Sequence, residues 1–279
     1  MSVIVGLVVG VLAVRLLVTT GLDLLRRPAL ERANHRGRLV PTAAGVLAVF
    51  AVVLVEGGRA LFGAFDVGHE TISSVRVAML LAVIGFGLLG FVDDVAGDVT
   101  ASGFRGHLGA LARGELTTGV VKIAGGGLLA VLLVSIGGAS TSGLRVVGDA
   151  AIVALAANLV NLFDRAPGRA LKIGLVAWLP IALTARADAV GVALAPVAGA
   201  FAGLLGDDLR EHFMLGDTGA YAFGAALGLG VVLEYGTATR AVVLAVLAAV
   251  TLASEWVSFG RVIDRVGVLR RLDRLGRRA

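Results

Sequence analysis

The sequence predicts an all-α, polytopic integral membrane helical bundle of about nine transmembrane helices, within a range of eight to ten. Three observations carry that prediction. Apolar residues fill 57% of the 279 positions and charged residues only 16%, against about half and about a quarter in soluble domains. Mean hydropathy is +0.92. The excess falls in blocks separated by short polar loops, several of them nearer 16 than 20 residues, which is the pattern of helices crossing a bilayer.

The first block, 3–20, follows "MSVIV", which has no basic stretch, and runs into "VTTGLDLL", which has no small-residue cleavage pattern. It is therefore expected to remain as a helix and not to act as a cleavable signal peptide. The second, 39–55, follows a basic loop. The third, 77–92, stops on Asp93 and Asp94. The fourth, 119–136, carries Lys122 near its start, and the fifth, 146–163, closes on "ANLVNLFD". Blocks six and seven, 170–185 and 189–206, are joined by three residues. Block eight, 218–233, begins just past "MLGD", and block nine, 240–259, precedes "RVIDRVGVLRRLDRLGRRA". Residues 1–260 are thus read as one transmembrane domain and 261–279 as a basic tail lying along the membrane surface. No internal repeat of the transporter kind is visible. With no cysteine, disulfides are excluded.

Basic residues set the expected topology. Loops 21–40, 92–118, 163–172 and 206–216, with the tail after 260, hold 18 of the 25 Lys and Arg. The alternate loops hold Arg59, Arg76, Arg145, Arg186 and Arg240. The positive-inside rule then puts the amino terminus outside, and the carboxyl terminus with the basic loops in the cytoplasm. The net charge of +5 is mostly this asymmetry. It fits anionic membrane lipid as a partner and gives no reason to invoke nucleic acid.

The same face collects the unusual acids. The stretch "GFGLLGFVDDVAGD", residues 85–98, ends on Asp93 and Asp94 with Asp98 beyond them. Asn158, Asn161 and Asp164 are spaced by three, so on a helix they form one slanted ridge. "GDDLREHFMLGDTGAYAFG" brings Asp217 to the start of block eight. Each has a plainer reading: a solvated carboxylate pair, amide bonds between helices, or a helix cap. His107 and His212 read as surface residues, and Arg15 and Glu255 as side chains reaching the interface. Together, four aspartates in one pocket require a compensating cation or proton, since two carboxylates 4 Å apart cost about 4 kcal/mol at an effective dielectric near 20. Mg²⁺, held by one or two carboxylates plus substrate phosphates, meets that need. Arg165, Arg169 and Lys172 would then offset phosphate charge. The clean middles of the blocks argue against a transporter or channel.

Four of these stretches resemble a known family. "GFVDD", "NLVNLFD", "MLGDTGAYAFG" and the earlier "NHRGRLVPTAAGVLAV" look like the signatures of the polyprenyl-phosphate N-acetylhexosamine-1-phosphate transferases, in the same order over about residues 30–225. The resemblance implies transfer of a sugar 1-phosphate from a UDP-sugar to polyprenyl phosphate with release of UMP, Mg²⁺ as cofactor, and a place in cell-envelope or peptidoglycan precursor synthesis at the plasma membrane. It implies Asp217, assisted by Asp94, as metal ligands. It implies Asp93, Asp94 and Asp164 as catalytic groups, Asn158 and Asn161 as substrate contacts, and Lys122 as a match to a family lysine. A homodimer is expected by family analogy alone. The sequence also departs from the family: Pro167 stands where a second aspartate is usual, Phe213 is displaced in the last motif, and no two histidines are adjacent. Those departures motivate a second expectation, a non-catalytic relative serving as an envelope assembly or lipid-binding partner.

Overall fold

The computed structural model describes residues 2–67, 72–96, 109, 113–114, 117–139 and 142–277. Asp98, His69, His107 and most of the loop between the third and fourth blocks lie outside the described residues. Helix starts follow local chemistry. Ser2 accepts from the Val5 N–H to open α1 (Val3–Gly21), and Thr117 from the Val120 N–H to open α4 (Thr118–Ile136). Asp188 accepts from the N–H groups of Val190 and Gly191 to open α7 (Ala189–Leu209). Each satisfies amides that a helix start leaves free. The remaining long helices are α2 (Gly45–Ala64), α3 (Ser74–Ala96), α5 (Gly143–Phe163), α6 (Arg169–Ala185), α8 (Gly216–Glu234) and α9 (Thr237–Ser254). Two short helices follow, α10 (Phe259–Arg265) and α11 (Gly267–Arg274).

Every expected block coincides with a helix. Among the described residues, eight helices are long and apolar enough to cross a membrane; α6, with 17 residues and Pro180 inside it, is the shortest of the nine. The protein is an all-α, membrane-spanning bundle. The helix α8 is its axis: nearly all its residues are buried, and it packs against α3 and α5. By contrast α9 presents most of its surface outward, as a lipid-facing helix does. Ring stacking of Phe201 on Phe223, with centroids 4.4 Å apart, ties α7 to α8.

The largest boundary differences are at the two ends of block two. Leu39–Pro41 is a short strand, β2, paired antiparallel with β1 (Glu31–Ala33), Arg32 opposite Val40. Block two therefore starts at Gly45 and extends to Ala64, drawing Glu56 and Arg59 into α2. There Glu56 Oε1 accepts from Arg59 at 2.6 Å and its Oε2 from Arg76 of α3 at 2.8 Å, all three side chains being buried. Arg59 and Arg76 are thus not loop residues, and the spans are not free of charge. A bare carboxylate within a membrane span is costly, and pairing resolves that cost. The same logic joins Asp149 of α5 to Arg240 of α9 at 3.0 Å.

Candidate active site

Four amides at the start of α8 organise the site. Leu215 supplies no side-chain cap, so the free N–H groups of this helix must be met from elsewhere. Carboxylates from three other helix ends meet them. Asp94, in the last turn of α3, accepts from the Asp217 N–H at 3.0 Å, the Thr218 N–H at 2.9 Å and the Thr218 hydroxyl at 2.6 Å. Asp164, one residue past α5, lies beside the Gly216 N–H. Asp208, at the end of α7, lies beside the Leu215 N–H and accepts from the Gly168 N–H at 2.8 Å. A helix start carries partial positive charge and favours anions by about 0.3–2 kcal/mol. That is how mutually repelling acids come to share one place.

Backbone contacts lock the arrangement. The Met214 N–H donates to Pro41 O at 2.8 Å, the Ala44 N–H to Met214 O at 3.1 Å and the Gly45 N–H to Leu215 O at 2.8 Å. The early "PTAAG" stretch is therefore stitched to "MLGD". Gly216 has φ +76°, and a Cβ there would lie 2.6 Å from Ala43 N and 2.7 Å from Asp94 Oδ2. Only glycine suits that backbone and that space. Gly90, one turn before Asp94, is equally constrained: a Cβ would lie 2.3 Å from Asp217 O.

Asp93 is rotated about 100° from Asp94 around α3 and faces a cavity of about 970 Å³ with Asn158, Asn161, Asp164, Lys122 and Asp217. Lys122 Nζ lies 2.8 Å from Asp93 Oδ2 and 2.5 Å from Asp217 Oδ2, and 4.5 Å from the centroid of the Tyr221 ring. Asn161 Nδ2 donates to Asp217 Oδ2 at 3.4 Å. Burial first, then the charges of Asp208, Asp217 and Asp94, push the Asp164 carboxyl well above the ordinary carboxylate range. Phe86, Ile123 and Leu155 line the same cavity, so one chamber presents both charged and apolar side chains.

Most of the residues singled out in the sequence meet here, with three changes. Asp94 has both oxygens hydrogen-bonded to the start of α8 and does not line the cavity. Arg169 is bound bidentately to Asp273 at 2.8 and 2.9 Å, and Lys172 donates to the Leu272, Asp273 and Leu275 carbonyls, so neither is aimed at the acids. Arg165 lines the cavity. Glu255 lines it too, where an interface-reaching side chain was expected, and Arg15 is ion-paired with Asp207. His212 sits 2.9 Å from the other oxygen of Asp207 with 42% of its side chain exposed, as a surface residue.

Sequence reasoning missed Asp208, Thr218, Tyr221 and His35. The last two line the cavity; His35 stands inside the early motif and Thr218 and Tyr221 inside the last, so proximity to the motifs was the available signal. Among the described residues no three of His, Cys, Asp and Glu form a ready-made metal cage. The donors that do face the cavity are mostly oxygens: the carboxylates of Asp93, Asp164, Asp217 and Glu255 and the amides of Asn158 and Asn161, with the single imidazole of His35 beside them. One or two carboxylates with substrate phosphate completing the shell is the Mg²⁺ mode, whereas zinc sites draw mostly on thiolate and imidazole. No protein-family model and no curated protein matches this chain.

Proposed function

We propose that the protein is a Mg²⁺-dependent membrane transferase that moves a sugar 1-phosphate from a UDP-sugar to polyprenyl phosphate, releasing UMP, with its site on the cytoplasmic side of the plasma membrane. One observation carries this reading: Asp93, Asp164 and Asp217, the two asparagines and Lys122 converge on a cavity that apolar side chains also line. Charged groups for a diphosphate and apolar ones for a lipid-borne phosphate are then present in one chamber. The excess of Lys and Arg in the loops at this end supports the cytoplasmic orientation.

Asp217, with Asp93 opposite, would hold Mg²⁺, which supplies charge neutralisation to a diphosphate when bound. The acceptor's phosphate monoester has a second pKa near 6, so it is largely dianionic at neutral pH and needs little base. Its oxygen attacks the β-phosphorus of the donor. The new P–O bond forms as the bond from that phosphorus to the bridging oxygen breaks, and UMP leaves with the electron pair. Asp93 places the acceptor phosphate, and Lys122, between two carboxylates, is a positive charge within reach of phosphate oxygens. Asn158 and Asn161 orient the donor. The work of the site is positioning and charge balance.

The test is UMP release by purified protein given UDP-GlcNAc or a UDP-MurNAc peptide, polyprenyl phosphate and Mg²⁺. Release should require all three components and vanish in Asp217→Asn. A phospho-aspartyl intermediate trapped with donor alone would replace direct attack by a two-step path. The departure at Pro167 favours one other reading, a non-catalytic partner in envelope assembly; no UMP from any UDP-sugar tested would select it.

A further inference from the structure

Beneath the loop at 164–169 lies a second cavity of about 1120 Å³, walled by that loop, the α9–α10 turn, α10 and α11. Its lining is basic: Arg36, Arg165, Arg169, Arg261, Arg274 and Arg277 face it against only Glu255 and Asp264. Three of these arginines have assigned work. Arg169 and Arg277 share Asp273 at 2.8 and 2.6 Å, and Arg36 lies 3.1 Å from Glu211. Arg165, Arg261 and Arg274 make no side-chain hydrogen bond or ion pair among the described residues.

The chamber is built by a clamp. Asp273 takes the Arg169 guanidinium bidentately, and Arg277 Nε donates to Pro167 O at 2.8 Å. Lys172 Nζ donates to three carbonyls at the end of α11, at 2.6 to 3.2 Å. The tail is therefore tied to the body of the protein. It is fastened under the loop that follows Asp164, and Arg274 is carried to the chamber by its neighbour Asp273. Arg165, Arg261 and Arg274 are exposed, so an arriving anion meets open guanidinium forks, which match phosphate and carboxylate.

We propose that this chamber is an anion-binding site in which Arg165, Arg261 and Arg274 receive a phosphate or carboxylate group, separate from any diphosphate at Asp217. It adjoins the acidic cavity through His35, Leu162, Arg165, Ser254 and Glu255, so an anion there neighbours whatever occupies the acidic cavity. Two sources offer this chemistry: an acidic group on a soluble ligand, or the headgroup of an anionic lipid reaching past Trp256, which is 72% exposed at the rim.

The test needs no turnover and stands apart from the transferase reading. Inorganic phosphate is titrated calorimetrically into the full chain in neutral detergent, and retained lipid is read by native mass spectrometry from phosphatidylcholine nanodiscs with and without phosphatidylglycerol. The variants are Arg165→Gln/Arg261→Gln/Arg274→Gln, Asp217→Asn, and Arg270→Gln/Arg271→Gln, outside the cavity lining, as a charge control. Weakening of phosphate binding by at least about tenfold in the triple variant, from loss of charged hydrogen bonds, with the other two unchanged, supports the proposal with a soluble ligand. Phosphatidylglycerol retained by the wild type and lost only from the triple variant supports it with a lipid headgroup. Equal binding by wild type and triple variant in both measurements, or an equal loss in the charge control, overturns it.

Discussion

Gly90→Ala adds one methyl group in the apolar run before the acid pair and touches no chemistry, yet it should nearly abolish turnover. The added Cβ would stand 2.3 Å from Asp217 O, 2.4 Å from its carbonyl carbon and 2.6 Å from Thr218 N. Ordinary contact begins near 3.4 Å, so α3 and α8 must part by about 1 Å, and both partners are backbone that cannot swing aside. Overpacking of this kind costs about 1–3 kcal/mol. The larger effect is on geometry: Asp217 moves relative to Asp93, and a displacement of about 1 Å can cost on the order of 100-fold in rate. The assays are UMP release and thermal unfolding in detergent, with Gly127→Ala as control because nothing among the described residues lies within 4 Å of its Cβ. Turnover and melting of Gly90→Ala equal to wild type would refute the close approach of the two helices.

The adjacent carboxylates should give opposite signatures. Asp94→Ala strands two amides and a hydroxyl of α8 and should lower unfolding free energy by about 3–5 kcal/mol; a denaturant midpoint near wild type would contradict its capping role. Asp93→Asn should depress kcat far more than donor affinity, and weaker binding with kcat intact would reassign it. For Asp164 the folded-state pKa is raised, so above the unfolded value near 3.9 the folded state binds more protons and this group's contribution to stability falls as pH rises. Asp164→Asn removes that decline: the variant should melt above wild type at neutral pH, the gap closing toward pH 4, while turnover is lost. A gap that does not change with pH would contradict the buried, raised carboxyl.

The bundle was legible because lipid-facing and buried helices alike must be apolar, so all nine blocks appear in the hydropathy pattern. The error at Leu39–Pro41 has a physical cause: Leu-Val-Pro is as suited to a half-buried strand as to a helix start. Glu56 was placed in a loop because its compensation, Arg76, comes from another helix. At the site, the Asn158–Asp164 ridge could be read from helix spacing, and Asp93 and Asp217 from their places at the ends of apolar blocks. The division of labour between Asp93 and Asp94 could not, since it depends on the start of α8, whose Asp217 N–H is 123 residues away from Asp94. The Asp273–Arg169 clamp spans 104 residues, and a basic tail with an occasional aspartate carries no local sign that it is fastened.

On the function proposed above, Asp217, held beside Asp94 at the start of its own helix, faces a cavity that takes Mg²⁺ together with a uridine diphosphate group. The decisive measurement is calorimetric titration of UDP into purified protein, with and without Mg²⁺. Binding in wild type should depend on Mg²⁺, that dependence should be lost in Asp217→Asn, and it should be kept in Arg261→Gln. UDP binding that ignores Mg²⁺, or that survives Asp217→Asn with its Mg²⁺ dependence unchanged, contradicts that function.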